Sequence, residues 1–314
     1  MGSIDKIVLV TRTTGVEELV QKFNTKAQAN FYVNQMGGNF AEYEAADVQY
    51  HQSLAWLRQA VPPKLKTQVI DRSYLPNFLF GPEDLVVVVG QDGLVVNTAK
   101  YLDGQLILAI NPDPDRIDGI LLPFQVKDFP KALAAVLGGE ENVRKITMAK
   151  AQLNDGQTLY GVNDLFIGHR THQSARYSIK YQGQLERHSS SGVIVSTGAG
   201  STGWFRSIVT GAFGFANEFR SYTGISSPGE SEFRFPWDAN YVCFSVREPF
   251  PSKQSQSSIV FGRVYESDFL EIESKMPDNG VIFSDGIESD FLAFNSGTIA
   301  KIGVGEKRAN LLVK

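Results

Sequence analysis

A carboxylate set between glycines at the end of an apolar run is the first group in this sequence that could do chemistry. Leu85-Val86-Val87-Val88-Val89 leads straight into Gly90-Gln91-Asp92-Gly93. Five consecutive apolar residues, four of them β-branched, predict a strand buried on both faces. Such a strand places Asp92 at the carboxyl edge of a sheet, where open α/β sheets bind their ligands. Glycines at that edge let backbone N–H groups approach an anion closely, so Gly90 and Gly93 suit phosphate. The same residues also suit a tight strand-to-helix turn with Asp92 as the helix N-cap.

A second stretch, Ser191-Gly192-Val193-Ile194-Val195-Ser196-Thr197-Gly198-Ala199-Gly200-Ser201-Thr202-Gly203-Trp204, carries an apolar strand into a loop rich in glycine and hydroxyls. Hydroxyls can bond a ribose or a phosphate, and the indole offers a ring face or an N–H. A flexible connection would look similar. No Gly-Lys-Ser/Thr follows, so this is not a Walker loop. The order of elements and the glycine spacing also differ from a Rossmann fingerprint.

These residues need a scaffold, and the first ~125 residues supply alternating strands and helices. Strands are predicted at Lys6–Thr11, Lys66–Arg72, 85–89 and Gln105–Asn111. Helices are predicted from Thr14 (an N-cap candidate) to Phe23, continuing with a break to Gly37-Gly38, then over Asp47–Val61 and Leu94–Leu102. Val48, Leu54, Trp56, Leu57 and Val61 are the expected buried side of the helix that Pro62-Pro63 ends. Asn111-Pro-Asp-Pro-Asp-Arg must be a loop, and its polar side chains lie at the same sheet edge as Asp92.

After a short helix at Phe129–Leu137 the texture changes to short strands and turns. They are Arg144–Leu153, a hairpin turn at Asn154-Asp155-Gly156, Gln157–Asn163, Ser174–Tyr181, Gly192–Ser196, Tyr241–Val246, Ser258–Val264, Phe269–Ser274, Val281–Ser284 and Ala300–Val304. The fold class is therefore an α/β N-terminal domain with a doubly wound, mostly parallel sheet, plus a β-rich C-terminal domain. The expected division is 1–125, rejoined by 300–314, and 126–299. The Gly/Ser/Phe-rich segment from Gly211 to Pro236 reads as a mobile connection or an interface element.

Composition narrows the partners. A net charge of −4 gives no electrostatic reason to expect nucleic acid or an anionic membrane. A lone cysteine, Cys243, excludes an intrachain disulfide or a multi-cysteine metal site. Of the histidines, His169 and His172 flank a strand end and read as solvated, so no metal site is assigned. No run approaches the ~20 apolar residues of a bilayer span. The N-terminus has neither a secretory nor a transit pattern, and Gly2 lacks the myristoylation context. The expected location is the cytoplasm.

Taken together and in order, these motifs resemble the NAD kinases, whose signature is a Gly-Gly-Asp-Gly loop, an Asn-Glu pair and a Ser/Thr-Gly-Ser-Thr-rich loop. Here they stand as Gly90-Gln91-Asp92-Gly93, Asn163-Asp164 and Ser196–Trp204. The branch typified by mitochondrial NAD kinase is similar also in Asn111-Pro-Asp-Pro-Asp-Arg-Ile-Asp-Gly, Ser245-Val-Arg-Glu-Pro, Ser284-Asp285-Gly286 and Asn295-Ser-Gly-Thr-Ile-Ala. The resemblance spans nearly the whole chain.

It implies an NAD kinase/diacylglycerol kinase-like fold and phosphoryl transfer from ATP, or polyphosphate, to the adenosine 2′-hydroxyl of NAD. Asp92, at the cleft between the domains, would be the base. Gly90, Gln91 and Gly93 would line the donor's phosphates. Asn163 and Asp164 would hold the ribose and adenine, while Asn111, Ser201, Thr202 and Trp204 complete the nucleotide-binding set. No lysine or arginine is evident in the glycine loops, so Mg²⁺ entering with ATP would neutralise phosphate charge. A homodimer is implied as well. Four positions depart from the pattern: Gln91 replaces a glycine, Leu94 a threonine, Asp164 a glutamate and Ala199 a hydroxyl residue. Asp164 is expected to keep the charge at shorter reach. A nucleotide sensor, or a kinase for a sugar or lipid hydroxyl, are the alternative functions.

Overall fold

The computed structural model describes residues 4–219 and 233–314. The chain divides into two compact units, Met1–Arg144 with Asn310–Lys314, and Lys145–Ala309.

The first unit is an α/β layer built on four parallel strands, β1 (Lys6–Thr11), β2 (Lys66–Asp71), β3 (Asp84–Val89) and β4 (Leu106–Asn111), in the order β2-β1-β3-β4. All six residues of β3 and of β4 are buried, as their unbroken apolar runs require of central parallel strands. One face of the sheet, with Ile7, Leu9, Leu85, Val87 and Val89, packs on Tyr50, Leu57, Phe129 and Leu133. The other face is equally closed, with Val8, Val10, Val86 and Val88 fully buried. Beyond β4, Ile110 and Asn111 pair with the two-residue β5 (Phe124–Gln125).

Helix α1 (Gly15–Phe23) begins where expected, because Thr14 and Glu17 form a capping box. The break that follows is at Asn24, in the left-handed region, before α2 (Lys26–Gln35). Helix α3 spans Phe40–Ala60, starting seven residues before the expected Asp47 at an Asn39 N-cap. Its buried residues are Phe40, Tyr50, Ser53 and Leu57. Val48 and Trp56, expected in the core, are 52% and 42% exposed. Helix α4 (Asp92–Ala99) follows β3, and α5 (Phe129–Gly138) follows β5.

The second unit pairs two sheets. One contains β6 (Asn142–Leu153), β7 (Thr158–Gly161), β9 (Ala175–Tyr181), β10 (Gln184–Ser190), β14 (Leu270–Ser274) and β17 (Ile299–Val313). The other is antiparallel, with β8 (Asp164–His169), β11 (Val193–Ser196), β12 (Tyr241–Val246), β13 (Phe261–Tyr265), β15 (Gly280–Ser284) and β16 (Ile287–Ala293) in the order β13-β12-β11-β8-β15-β16. Leu165, Ile167, Val193, Val195 and Phe244 of the second sheet meet Tyr177, Ile179, Leu270 and Ile302 of the first. This is the alternation of a two-sheet core. The sequence pattern did not mark β8, β10 or β16 as strands. It also ended β17 too early: Asn310 and Leu311 pair with Leu106 and Ile107 of β4.

Helix α6 (Trp204–Glu218) occupies the first part of the segment expected to be a connection. Residues 220–232, including Ser226-Ser227-Pro228-Gly229, lie outside the described residues. Strand, loop and helix therefore do follow one another here. However, β11 lies between antiparallel neighbours, so there is no parallel crossover of the Rossmann kind. Among the described residues no helix is long and apolar enough to cross a membrane.

Candidate functional site

In the first unit the register Val10↔Val88 and Val88↔Ala109 brings the carboxyl ends of β1, β3 and β4 to one edge. Gly90 and Gln91 leave β3 there. Asp92 is the first residue of α4, and the N-cap is Gln91, whose side chain makes no cap bond. The N-cap role considered for Asp92 is thus not the one found. Instead Asp92 Oδ1 accepts the Leu121 N–H at 2.6 Å, which fixes the carboxylate. No hydrogen bond among the described residues engages Oδ2. Gln91 has an ordinary extended backbone (φ −127°, ψ 168°) and is exposed, so the side chain costs no strain where the resemblance has glycine. A Cβ on Gly93 would meet nothing within 4 Å, so the loop is open there.

Asn111 is 5% exposed and closes its own loop: Nδ2 donates to Ile117 O at 2.8 Å and Oδ1 accepts Asp113 N–H at 3.0 Å. Gly119, at φ +65°, leaves the room, since a Cβ there would lie 2.6 Å from Asn111 Nδ2. Asp113 pairs with Arg116 at 2.6 Å.

In the second unit Thr197 sews the hydroxyl loop to the turn before β8. Its N–H donates to Asn163 O and its Oγ1 to Val162 O, at 3.0 and 2.5 Å. Gly200 N–H then donates to Thr197 Oγ1 at 3.2 Å. Ser201 is buried and donates to Gly198 O at 2.7 Å, so this hydroxyl holds the loop's shape. Thr202 is half-buried, and Trp204 opens α6. The indole stacks on Phe166 (centroids 5.9 Å apart, 8° between planes), with the Arg247 guanidinium 5.4 Å from its centroid. Phe166, Trp204, Phe283, Phe291, Arg170 and Arg247 line a cavity of about 300 Å³. His169, expected in solvent, is buried at the end of β8 and accepts the Thr171 N–H through Nδ1.

Asn163 and Asp164 are held by a residue the sequence reading treated only as part of a motif. Asp285 stands at φ +53° in the turn between β15 and β16, and its carboxylate accepts the N–H groups of Val162, Asn163 and Asp164 at 3.0, 2.7 and 3.3 Å. That leaves the side chains of Asn163 and Asp164 without a hydrogen bond among the described residues. Burial, and then the nearby Asp285 charge, push the Asp164 carboxyl up to about 7. Both causes oppose the charge expected of Asp164 and favour its protonated form.

No protein-family model matches the sequence, and no curated protein matches it either. Solved structures do match. The yeast NADH kinase complexed with NADH is similar at 15% identity and a TM-score of 0.56, over 99% of this chain and 84% of that one. An NAD kinase from Archaeoglobus fulgidus in complex with ATP is similar at 16% identity and a TM-score of 0.54, over 97% and 92%. The chain has the NAD kinase fold.

Within this NAD kinase fold, Asp164 gives a direct test of the site's electrostatics. Its carboxyl titrates near 7 folded and near 4 unfolded, so the folded state holds the extra proton between those values. Stability from this group is full below about pH 4 and is lost as pH rises through about 7. Asp164→Asn, which cannot ionise, is expected to flatten that decline and to raise the melting temperature at pH 8 more than at pH 4. Thermal melts across this range check it.

Proposed function

We propose that the chain is an NAD kinase, transferring a phosphoryl group from ATP, or from polyphosphate, to the adenosine 2′-hydroxyl of NAD. The observation that carries the reading is Asp92, a carboxylate at the sheet edge with one oxygen anchored to Leu121 N–H and the other unengaged among the described residues. A proton acceptor held in this way is what attack by a hydroxyl requires. A lone pair of the 2′-oxygen forms the new P–O bond at the donor's terminal phosphorus. The bond to the bridging oxygen breaks, ADP leaves with its electron pair, and the 2′-hydroxyl proton passes to Asp92. With polyphosphate the leaving group is the chain shortened by one phosphate.

Gly90, Gln91 and Gly93 line the donor's phosphates, with Gln91 and Gly93 offering backbone N–H groups, since the Gly90 N–H already donates to Ile110 O at 3.3 Å. The second unit orients NAD: Asn163 and Asp164 bond the ribose and adenine, and Trp204, braced by Phe166, offers a flat face to a ring. At neutral pH Asp164 can donate or accept toward a ribose hydroxyl. The similar folds of the yeast kinase complexed with NADH and of the archaeal kinase complexed with ATP support the reading for both substrates. Mg²⁺ would spread the charge that develops on the phosphates. Asp92 is the carboxylate on the glycine loop, which suits a cation held by the phosphates and few protein ligands. The one cluster of three candidate ligand residues among the described residues, Glu17, Asp47 and His51, already serves the fold. There Thr14 N–H and Oγ1 donate to Glu17 and Asp47.

The test is an acceptor panel with ATP and Mg²⁺: NAD, NADH, sugars and lipid hydroxyls. NADP from NAD is the expected product. Phosphorylation of a sugar or lipid with none on NAD would overturn the reading, as would tight NAD binding without turnover.

A further inference from the structure

The glycine loop has a cation beside it that its own sequence does not contain. Arg12 follows β1, and because β1 pairs with β3 its side chain lies against Gly90. A Cβ on Gly90 would sit 3.5 Å from Arg12 Cδ and 3.7 Å from Nε. Arg12 Nε is buried and has no hydrogen-bond partner among the described residues. Among the described residues the guanidinium makes only one long bond, 3.5 Å, to its neighbour's carbonyl, Thr13 O. Glu17, Asp47 and Asp71 line the same depression, yet among the described residues none lies within ion-pair distance of Arg12.

Tyr50 holds this arrangement in place. Its hydroxyl accepts Arg12 N–H at 2.9 Å and donates to Val89 O at 3.2 Å, tying the ends of β1 and β3 together. The Arg12 guanidinium lies over the Tyr50 ring at 5.5 Å. Next to it, a cavity of about 580 Å³ opens at the carboxyl ends of β1 and β2, lined by Thr11, Arg12, Tyr50 and Asp71.

A buried guanidinium nitrogen left without an acceptor is costly unless a ligand supplies one. We infer that Arg12 binds the polyphosphate chain of the phosphate donor, gripping its oxygens beside Gly90, on the side where Leu94 of α4 also lies. A small rotation of the side chain turns Nε and a terminal nitrogen toward one phosphate as a two-pronged fork. The inference rests on the kinase reading, to which it adds the donor-side cation, and it applies equally to ATP and to inorganic polyphosphate.

The experiment is calorimetry of wild type, Arg12→Met and Arg12→Lys with ATP, adenosine, inorganic tripolyphosphate and NAD, alongside KM values for ATP and NAD. Arg12→Met is expected to weaken ATP and tripolyphosphate about 10- to 100-fold, with Arg12→Lys recovering part. Adenosine and NAD should bind as before, and only the KM for ATP should rise. A nucleotide donor shows ATP binding well above tripolyphosphate, whereas a polyphosphate donor shows the two alike and adenosine not binding. Unchanged ATP affinity in a folded Arg12→Met protein would overturn the inference. An equal loss for adenosine would do so too, since it would mark a packing role on Tyr50. Wild type that binds ATP through Arg12 but forms no NADP would sink the kinase reading alone. NADP formation indifferent to Arg12 would sink only the inference.

Discussion

Asp92→Asn is expected to lower turnover by about 10²- to 10⁴-fold while leaving NAD affinity within a factor of about two. The substitution is well suited to the question because Asp92 does two things. Its Oδ1 accepts the Leu121 N–H, and an asparagine Oδ1 can accept the same bond, so the loop that follows β4 keeps its anchor. Only the capacity to take a proton is lost. Initial rates with NAD and ATP, beside calorimetry and a thermal melt, separate the two roles. A melting temperature that drops with activity would mean the carboxylate is chiefly an anchor.

Gly200→Ala should cost a large part of the stability, about 3 kcal/mol or more. A Cβ there would stand 2.0 Å from Asn163 O and 2.9 Å from Ser196 Oγ. Neither neighbour can move freely, since Asn163 O accepts from Thr197, the Asn163 N–H donates to Asp285, and Ser196 Oγ donates to Thr197 O. The loop would have to lift away from β8, taking Trp204 with it. A drop in melting temperature of about 5–10 °C is expected. Gly93→Ala is the matching control. With open space around it in the first turn of α4, it should leave the melting temperature unchanged or slightly higher, yet raise the KM for ATP by crowding the phosphates. Equal melting losses for the two variants would contradict this account.

Much of the first unit was legible in the sequence because its strands are buried on both sides. Val86 to Val89 can hardly be anything else, and Thr14 with Glu17 announces α1. The early turns of α3 were hidden because only Phe40 anchors them, ten residues before Tyr50, so no apolar periodicity appears. The strand at Gln184–Ser190 is polar on its exposed side and lies at a sheet edge, where alternation fades. Asp92 and Trp204 could be picked out as chemistry because glycine loops surround them, whereas Asn163 and Asp164 stood out only through the resemblance. Asp285 and Arg12 could not be assigned in the same way. Each reaches its partner across strands that are distant in sequence, and neither charge stands in the loop it serves. For Asp285 the only local sign was the Asp-Gly turn pair; for Arg12 it was a basic residue directly after a strand.

The most direct measurement is a single turnover with ATP labelled in its γ-phosphate, NAD and Mg²⁺, comparing wild type with Asp92→Asn. The account predicts that wild type carries the label to the adenosine 2′-oxygen of NAD and that the Asp92→Asn protein, still binding NAD, does not. Label that stays on ATP with both proteins, or that moves to NAD equally with both, would contradict it.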